Sequence, residues 1–283
     1  MFSLHRDIAL DSVRRVSTLA VNDITVGYDD TGSGAPLVLV HGHPFDRSMW
    51  RPQAERFARE GWRVITPDLR GYGESTVVPG STRLETFARD IGALLDALGV
   101  ERFVLGGLSM GGQIVLECLR HFPHRVLGLI LADTTPHAET PRSKAARREL
   151  AERLLGEGLA QYAHEVLPKM LAPHNIRALP ATAKHVLRMM KGTSAEGAAA
   201  ALRGRAERPD YVPVLTDIAV PTLVVVGDED EYTPVEVAKF LYERIPGAEL
   251  TVIEGAAHLP NLEREVAFND AVLDFLTRSA PLQ

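Results

Sequence analysis

With 283 residues, 45% of them hydrophobic and 24% charged, the chain has the size and balance of one large α/β domain with room for an insertion. A formal charge of -6 argues against a nucleic-acid partner, which calls for a basic patch, and a single cysteine, Cys118, excludes an intrachain disulfide. No apolar run is long enough to span a bilayer and the N-terminus lacks the apolar core of a secretory signal, so no membrane partner is expected and the cytoplasm is the expected compartment.

Residues 1–15 show no clear period and are expected to be poorly ordered. Two short β-like pieces, 17–21 and 24–28, flank Asn22-Asp23, which reads as a hairpin turn. Thr31-Gly32-Ser33-Gly34 then breaks the chain before Pro36-Leu37-Val38-Leu39-Val40, the uninterrupted apolar run that a strand buried on both faces of a parallel sheet requires. His41-Gly42-His43-Pro44-Phe45-Asp46 follows at its carboxyl end, and a helix over 48–59 and a strand over 62–66 come next. In the glycine-punctuated loop after that strand, Asp68 and Arg70 are read as a structural ion pair. Thr82-Arg83-Leu84-Glu85 reads as a capping box opening a helix whose apolar stripe is Leu84, Phe87, Ile91, Leu94, Leu95 and Leu98, and Gly99 ends it.

A strand-like run, Arg102-Phe103-Val104-Leu105, leads into Gly106-Gly107-Leu108-Ser109-Met110-Gly111-Gly112 and then a helix with apolar positions 114, 115, 116 and 119, on which Cys118 is a small buried residue. Glycines two before and two after Ser109 give the G-x-S-x-G pattern, in which a strained turn lifts the serine hydroxyl clear of the sheet and neighbouring backbones leave no room for a β-carbon. Read alone, the stretch is also compatible with a plain strand-to-helix turn capped by a serine, whereas no Gly-Lys-Ser/Thr follows to make it a phosphate loop. The amide of Met110 falls at a helix N-terminus, where negative charge is favoured. Ligands of open α/β sheets lie beyond the carboxyl ends of the strands, so the His41 loop faces this turn and the His43 amide is a second candidate oxyanion donor; Pro44 has none.

A strand over 126–131 ends near Asp133, and the rhythm then changes. Over 134–208 no β-like run appears and Ala, Arg, Glu and Leu dominate, which reads as helices inserted over Ser109 as a lid. The expected divisions are 1–133 for the first part of the core, 134–211 for the insertion and 212–283 for the rest of the core. Met170 and Met189 are candidate pocket residues on the lid's underside, together with His41, Phe45 and Leu259 from the core loops, although methionines there equally suit packing between helices. Arg203, Arg205 and Arg208 read as a solvated helix face, or as a basic lid meeting an anionic substrate. The sheet resumes over 221–227, followed by Asp228-Glu229-Asp230-Glu231 and a second capping box, Thr233-Pro234-Val235-Glu236, with a proline at the first helical position. A strand over 249–253, a loop holding His258 and a helix over 264–277 close the chain.

A serine hydroxyl needs a base within reach and a carboxylate to orient that base. Ser109, then an acid, then His258, each after a strand, satisfies this in the chain order of the α/β-hydrolases, and the sequence resembles that superfamily over nearly its whole length. Gly107-Leu108-Ser109-Met110-Gly111 is similar to its nucleophile elbow, His41-Gly42-His43-Pro44 to its oxyanion loop, Gly227-Asp228-Glu229-Asp230 with Thr233-Pro234 to its acid turn and Gly255-Ala256-Ala257-His258 to its histidine loop. Spacing alone leaves Asp228 and Asp230 unseparated; the resemblance selects Asp230, then Asp228, then Asp133. It implies a mostly parallel sheet with helices on both faces, and a branch similar to serine esterases, cofactor-free haloperoxidases and 3-oxoadipate enol-lactonases. The activity so implied is cleavage of a small-molecule ester or lactone through Ser109, His258 and Asp230, with His43 and Met110 as oxyanion donors. Perhydrolysis or C-C bond hydrolysis on the same triad, and a non-catalytic ligand receptor, are the alternatives. No cofactor-binding or metal site is visible in the sequence, and oligomeric state is not legible from it.

Overall fold

A computed structural model describes residues 15–279. The opening segment read as poorly ordered lies, but for its last residue, outside the described residues. Strands β1 (Arg15–Val21) and β2 (Ile24–Thr31) form the expected hairpin, with Asn22 at a positive φ in its turn. Then come β3 (Ala35–Val40), a short 3-10 turn, α1 (Arg51–Arg59), β4 (Trp62–Pro67), α2 (Leu84–Ala97), β5 (Phe103–Leu108), α3 (Met110–His121) and β6 (Val126–Ala132). Five helices follow without a strand: α4 (Pro141–Glu157), α5 (Ala160–Met170), α6 (Pro173–Ala178), α7 (Pro180–Gly192) and α8 (Ala195–Ala206). Strand β7 (Thr222–Gly227), α9 (Val235–Arg244), β8 (Glu249–Ile253), the single turn α10 (Pro260–Glu263) and α11 (Glu265–Ser279) complete the described residues.

The eight strands form one sheet in the order β1-β2-β4-β3-β5-β6-β7-β8. From β4 to β8 every neighbouring pair is parallel, while β2 pairs antiparallel with both β1 and β4 and so alone runs against the others. The run 37–40 shows why it had to be apolar throughout. Leu37 and Leu39 enter the core cluster shared with α1 and α11, whereas Val38 and Val40 enter the cluster formed with α2 and α3, as a two-residue period demands. Because β3, β5, β6, β7 and β8 all point the same way, the loops after them open at one edge of the sheet.

Helix α8 sits directly on that edge. Its alanines and glycines leave no bulk between backbones: a β-carbon on Gly197 would lie 2.0 Å from the Gly71 carbonyl oxygen, and one on Gly204 would lie 1.7 Å from that of Thr82. The Thr82 amide donates to Ala200 O at 2.9 Å. This docking overturns the first capping box. The N-cap of α2 is Arg83, without a side-chain cap, because Thr82 is buried under α8 one residue earlier. The second box is also absent, since the Thr233 hydroxyl goes to Asp230 and Pro234 takes the N-cap position.

Asp68 and Arg70 are structural, but not as a pair. Residues two apart on an extended segment project the same way only where the backbone stays regular, and this loop turns. Asp68 accepts from the Arg47 amide at 2.8 Å and pairs with its guanidinium, which also reaches Asp29 at 3.0 Å. Arg70 grips Asp90 through two hydrogen bonds of 2.8 Å and reaches Asp23 at 2.9 Å. Among the described residues no helix is long and apolar enough to cross a membrane.

Candidate active site

Strand β5 ends at Leu108 and α3 begins at Met110, so Ser109 alone makes the turn, at φ 59° and ψ -116°. A positive φ at a residue with a β-carbon costs on the order of 1–3 kcal/mol and persists only where its surroundings enforce it. Here the Ser109 amide donates to Ala132 O at 2.9 Å, and its carbonyl accepts from Thr134 Oγ1 at 2.7 Å. The flanking glycines are required by close approach: a β-carbon on Gly107 would lie 2.4 Å from the Gly111 carbonyl, and one on Gly111 would lie 2.2 Å from Val40 O. As Met110 opens α3, its N–H is one of those a helix leaves without an intrahelical partner.

The loop after β3 lies against this turn, with Gly42 so near that a β-carbon there would stand 3.2 Å from Ser109 Cβ. Its two histidines differ. His41 is fully buried, with Nδ1 on Gly42 O at 2.9 Å and Nε2 accepting from the Leu69 amide at 3.0 Å. Both ring nitrogens are thus spent on backbone, and burial lowers its pKa, so it holds the loop as a neutral ring. His43 borders the cavity described below, its Nδ1 2.8 Å from the Tyr72 hydroxyl. Burial, then the charges of Arg205 and Arg147, push its pKa well down.

After β7, Asp230 is buried and receives the Tyr232 and Thr233 amides on Oδ1, at 2.8 and 3.2 Å. Its Oδ2 accepts from Thr233 Oγ1 and stands 2.8 Å from His258 Nδ1. Burial pushes this carboxyl up, but the His258 ring and the hydrogen bonds together outweigh it and hold the pKa below the usual range, so Asp230 is ionised. With Nδ1–H given to Asp230, Nε2 is the His258 nitrogen left to take a proton. Asp228 faces elsewhere, accepting the Gly255 and Ala256 amides at 2.7 and 3.3 Å and so fastening the histidine loop. Glu263 does the same from the other side: Oε1 takes the Ala257 amide at 2.8 Å, while Oε2 takes the Ala172 amide and Asn175 Nδ2 from the inserted helices, each at 2.7 Å. Asp133, at φ 44°, accepts from the Gly227 amide at 3.0 Å. Burial, then the charge of Asp230, push its pKa well up.

Ser109, His43, Asp133 and His258 all line one cavity of about 350 Å³. Arg147 and Leu150 of α4, Tyr162, Val166 and Met170 of α5, and Leu202 and Arg205 of α8 complete it with Gln113, Thr135, Tyr232 and Thr233. Of the five side chains expected in a pocket, Met170 borders this cavity and four do not. Phe45, Leu259 and Met189 are buried in the core cluster with Trp50 and Phe268, and His41 lies beneath with both nitrogens engaged. Phe45 turns inward because its amide closes a tight turn onto Gly42 O, and Leu259 because its carbonyl starts α10. Arg205 and Arg208 are buried rather than solvated, because α8 packs face-down on the core; Arg203 alone of the three reaches the surface. Asp133, Asp230 and His258 have donor atoms within 4.8 Å of one another, a set a cation could use, but the Asp230 and His258 atoms are bonded to each other.

This frame of parallel strands, with a serine on a strained strand-to-helix turn and an acid and histidine on later strand ends, defines a class. The family model described as the alpha/beta hydrolase fold matches residues 35–265, and the chain belongs to that family. It is 32% identical to 3-oxoadipate enol-lactonase 2 of Acinetobacter baylyi, over 90% of this chain and 94% of that protein. It is 31% identical to a 2-hydroxy-6-oxononadienedioate/2-hydroxy-6-oxononatrienedioate hydrolase of Paraburkholderia phymatum, over 90% of this chain and 91% of that one. Among solved structures, a malate-bound thermophilic esterase from Thermogutta terrifontis superposes with a TM-score of 0.89 at 39% identity, covering 94% of this chain and 98% of that one.

Proposed function

We propose that the protein is a serine hydrolase cleaving a carboxylic ester or lactone, with Ser109 as nucleophile, His258 as general base and Asp230 as the acid orienting it. The observation that carries this reading is the strained Ser109 opening into the same cavity as a histidine whose Nδ1 stands 2.8 Å from an ionised, four-fold hydrogen-bonded aspartate. Esterase and enol-lactonase relatives support it. Ser109 Oγ adds to the carbonyl carbon as its proton passes to His258 Nε2. Collapse of the tetrahedral adduct breaks the C–O bond, and His258 returns the proton to the leaving alkoxide. Water, deprotonated by the same nitrogen, adds to the acyl-enzyme and frees the acid. The amides of His43 and Met110 receive the oxyanion, and each such donor is worth about 3 kcal/mol. The helices between β6 and β7 act as the lid.

Initial rates on p-nitrophenyl acetate, an enol-lactone, a vinylogous 1,5-diketone acid and acetate plus peroxide test the reaction class. Ester or lactone turnover at least 100-fold above the other two is expected. Preferred cleavage of the diketone would favour C-C hydrolysis, and peracid formation perhydrolysis. Binding without turnover of any of them would favour a receptor.

A further inference from the structure

The cavity beside Ser109 has a cationic wall. Arg205 is only 9% exposed, and its Nε donates to Gln113 Oε1 at 3.0 Å. Among the described residues no carboxylate comes within ion-pair distance of its guanidinium. Three guanidinium groups, Arg147, Arg205 and Arg208, share this corner with one acid, Glu139, whose Oε1 takes Arg147 Nε at 2.8 Å and also Arg208. Burial, then the charges of Arg147 and Arg208, disfavour the Arg205 cation, yet a guanidinium does not give up its proton in a protein. The charge therefore stays, and Glu139, which is paired with Arg147 and Arg208, acts on it only through space, without direct contact. The other titratable groups on the lining make no contact with it: Asp133 accepts from the Gly227 amide, and burial disfavours the charged forms of His43, Asp133, Tyr162 and Tyr232. Asp230 is committed to His258.

We infer that Arg205, supported by Arg147, is a carboxylate-binding subsite, and that the substrate carries a free carboxylate besides the ester or lactone carbonyl that Ser109 attacks. The inference rests on the serine-hydrolase reading for the attacked bond, but not for the anion. Gln113 fixes the Nε side of the fork, so the Nη side is the one that receives two carboxylate oxygens. A buried cation without a carboxylate in contact is costly, and a ligand carboxylate offsets that cost on binding. A 350 Å³ cavity suits a small acyl chain with an acid at its far end. Since the chain as a whole is anionic, at -6, attraction of an anion is a property of this wall and not of the general surface.

Paired substrates test it: monomethyl succinate against methyl butanoate, and monomethyl adipate against methyl hexanoate, each pair differing by carboxylate in place of methyl. The wild-type protein is expected to prefer at least one half-ester by ten-fold or more in kcat/KM. In Arg205→Met that preference falls at least ten-fold, chiefly through KM, and Arg205→Lys recovers part of it. Calorimetry of succinate and adipate with the wild-type protein supplies a readout independent of turnover and of the variant's folding, with butanoate and hexanoate as neutral-tailed controls. A wild-type protein that hydrolyses the neutral esters at least as well as the half-esters and binds dicarboxylates no better than monocarboxylates overturns the subsite and leaves the hydrolase reading standing. Dicarboxylate binding that is lost in Arg205→Met, with no ester turned over, overturns the hydrolase reading and leaves the subsite. Equal losses on both members of a pair in a folded Arg205→Met protein overturn the subsite.

Discussion

Two aspartates two residues apart have different work, and their hydrogen bonds separate them. Asp230 Oδ2 stands on the His258 ring, whereas Asp228 Oδ1 holds two backbone amides of the histidine loop. Replacing Asp230 by Asn leaves the shape but removes the charge that fixes the imidazole tautomer, and a loss of roughly 10³–10⁴ in kcat is expected. Asp228→Asn keeps an acceptor oxygen for those amides, and a loss below about ten-fold with a lower melting temperature is expected. Steady-state kinetics and thermal melts of both variants distinguish the two roles, and the reverse ranking would make Asp228 the acid. Spacing could not decide this, because both acids follow one strand in one loop. Serine and histidine were legible because each stands alone in its loop with glycine before it. Glu263 was not, and Arg205 was legible only as one of two readings, solvated face or basic lid: a buried charge and an exposed one have the same letter, and only the packing around them tells which is which.

Helix α8 shows what an element's composition does and does not reveal. Its run of alanines signals a helix, yet its amphipathic pattern is weak because contact is made through small residues on a close backbone approach. The strands were read well, since burial on both faces leaves only apolar residues, and α2 likewise from its stripe. The two capping boxes failed because other partners took the threonines, the distant Ala200 O holding the Thr82 amide and Asp230 of the same loop the Thr233 hydroxyl. Overpacking an interface of this kind costs about 1–3 kcal/mol. Gly204→Val is therefore expected to lower the melting temperature by several degrees and to reduce kcat/KM, because it lifts the segment that carries Arg205. Gly156→Ala, where a β-carbon meets nothing within 4 Å on α4, is expected to stabilise by roughly 0.5–1 kcal/mol. Scanning calorimetry of both checks the pair, and a Gly204→Val protein as stable as wild type would contradict the docking of α8.

At the scale of the whole molecule, the parallel sheet is what lets residues separated by more than a hundred positions meet. Strands β3, β5, β6, β7 and β8 each end at the same edge, delivering His43, Ser109, Asp133, Asp230 and His258 in turn, and the helices between β6 and β7 close the cavity over them. That order, strand by strand, was legible, since each loop follows an apolar run and carries chemically distinctive groups, although the β7 loop offers four acids and the β3 loop two histidines. The cavity wall was not, because three of the five inserted helices, α4, α5 and α8, build it without a long-range pattern. The central claim is that Ser109 is made nucleophilic by His258. Intact-mass measurement after incubation with a fluorophosphonate tests it most directly. The account predicts one adduct on the wild-type protein, located at Ser109 by peptide mapping, labelling slowed at least 100-fold in a folded His258→Ala protein, and none in Ser109→Ala. An adduct retained in folded Ser109→Ala, or labelling of the His258→Ala protein at the wild-type rate, would contradict it.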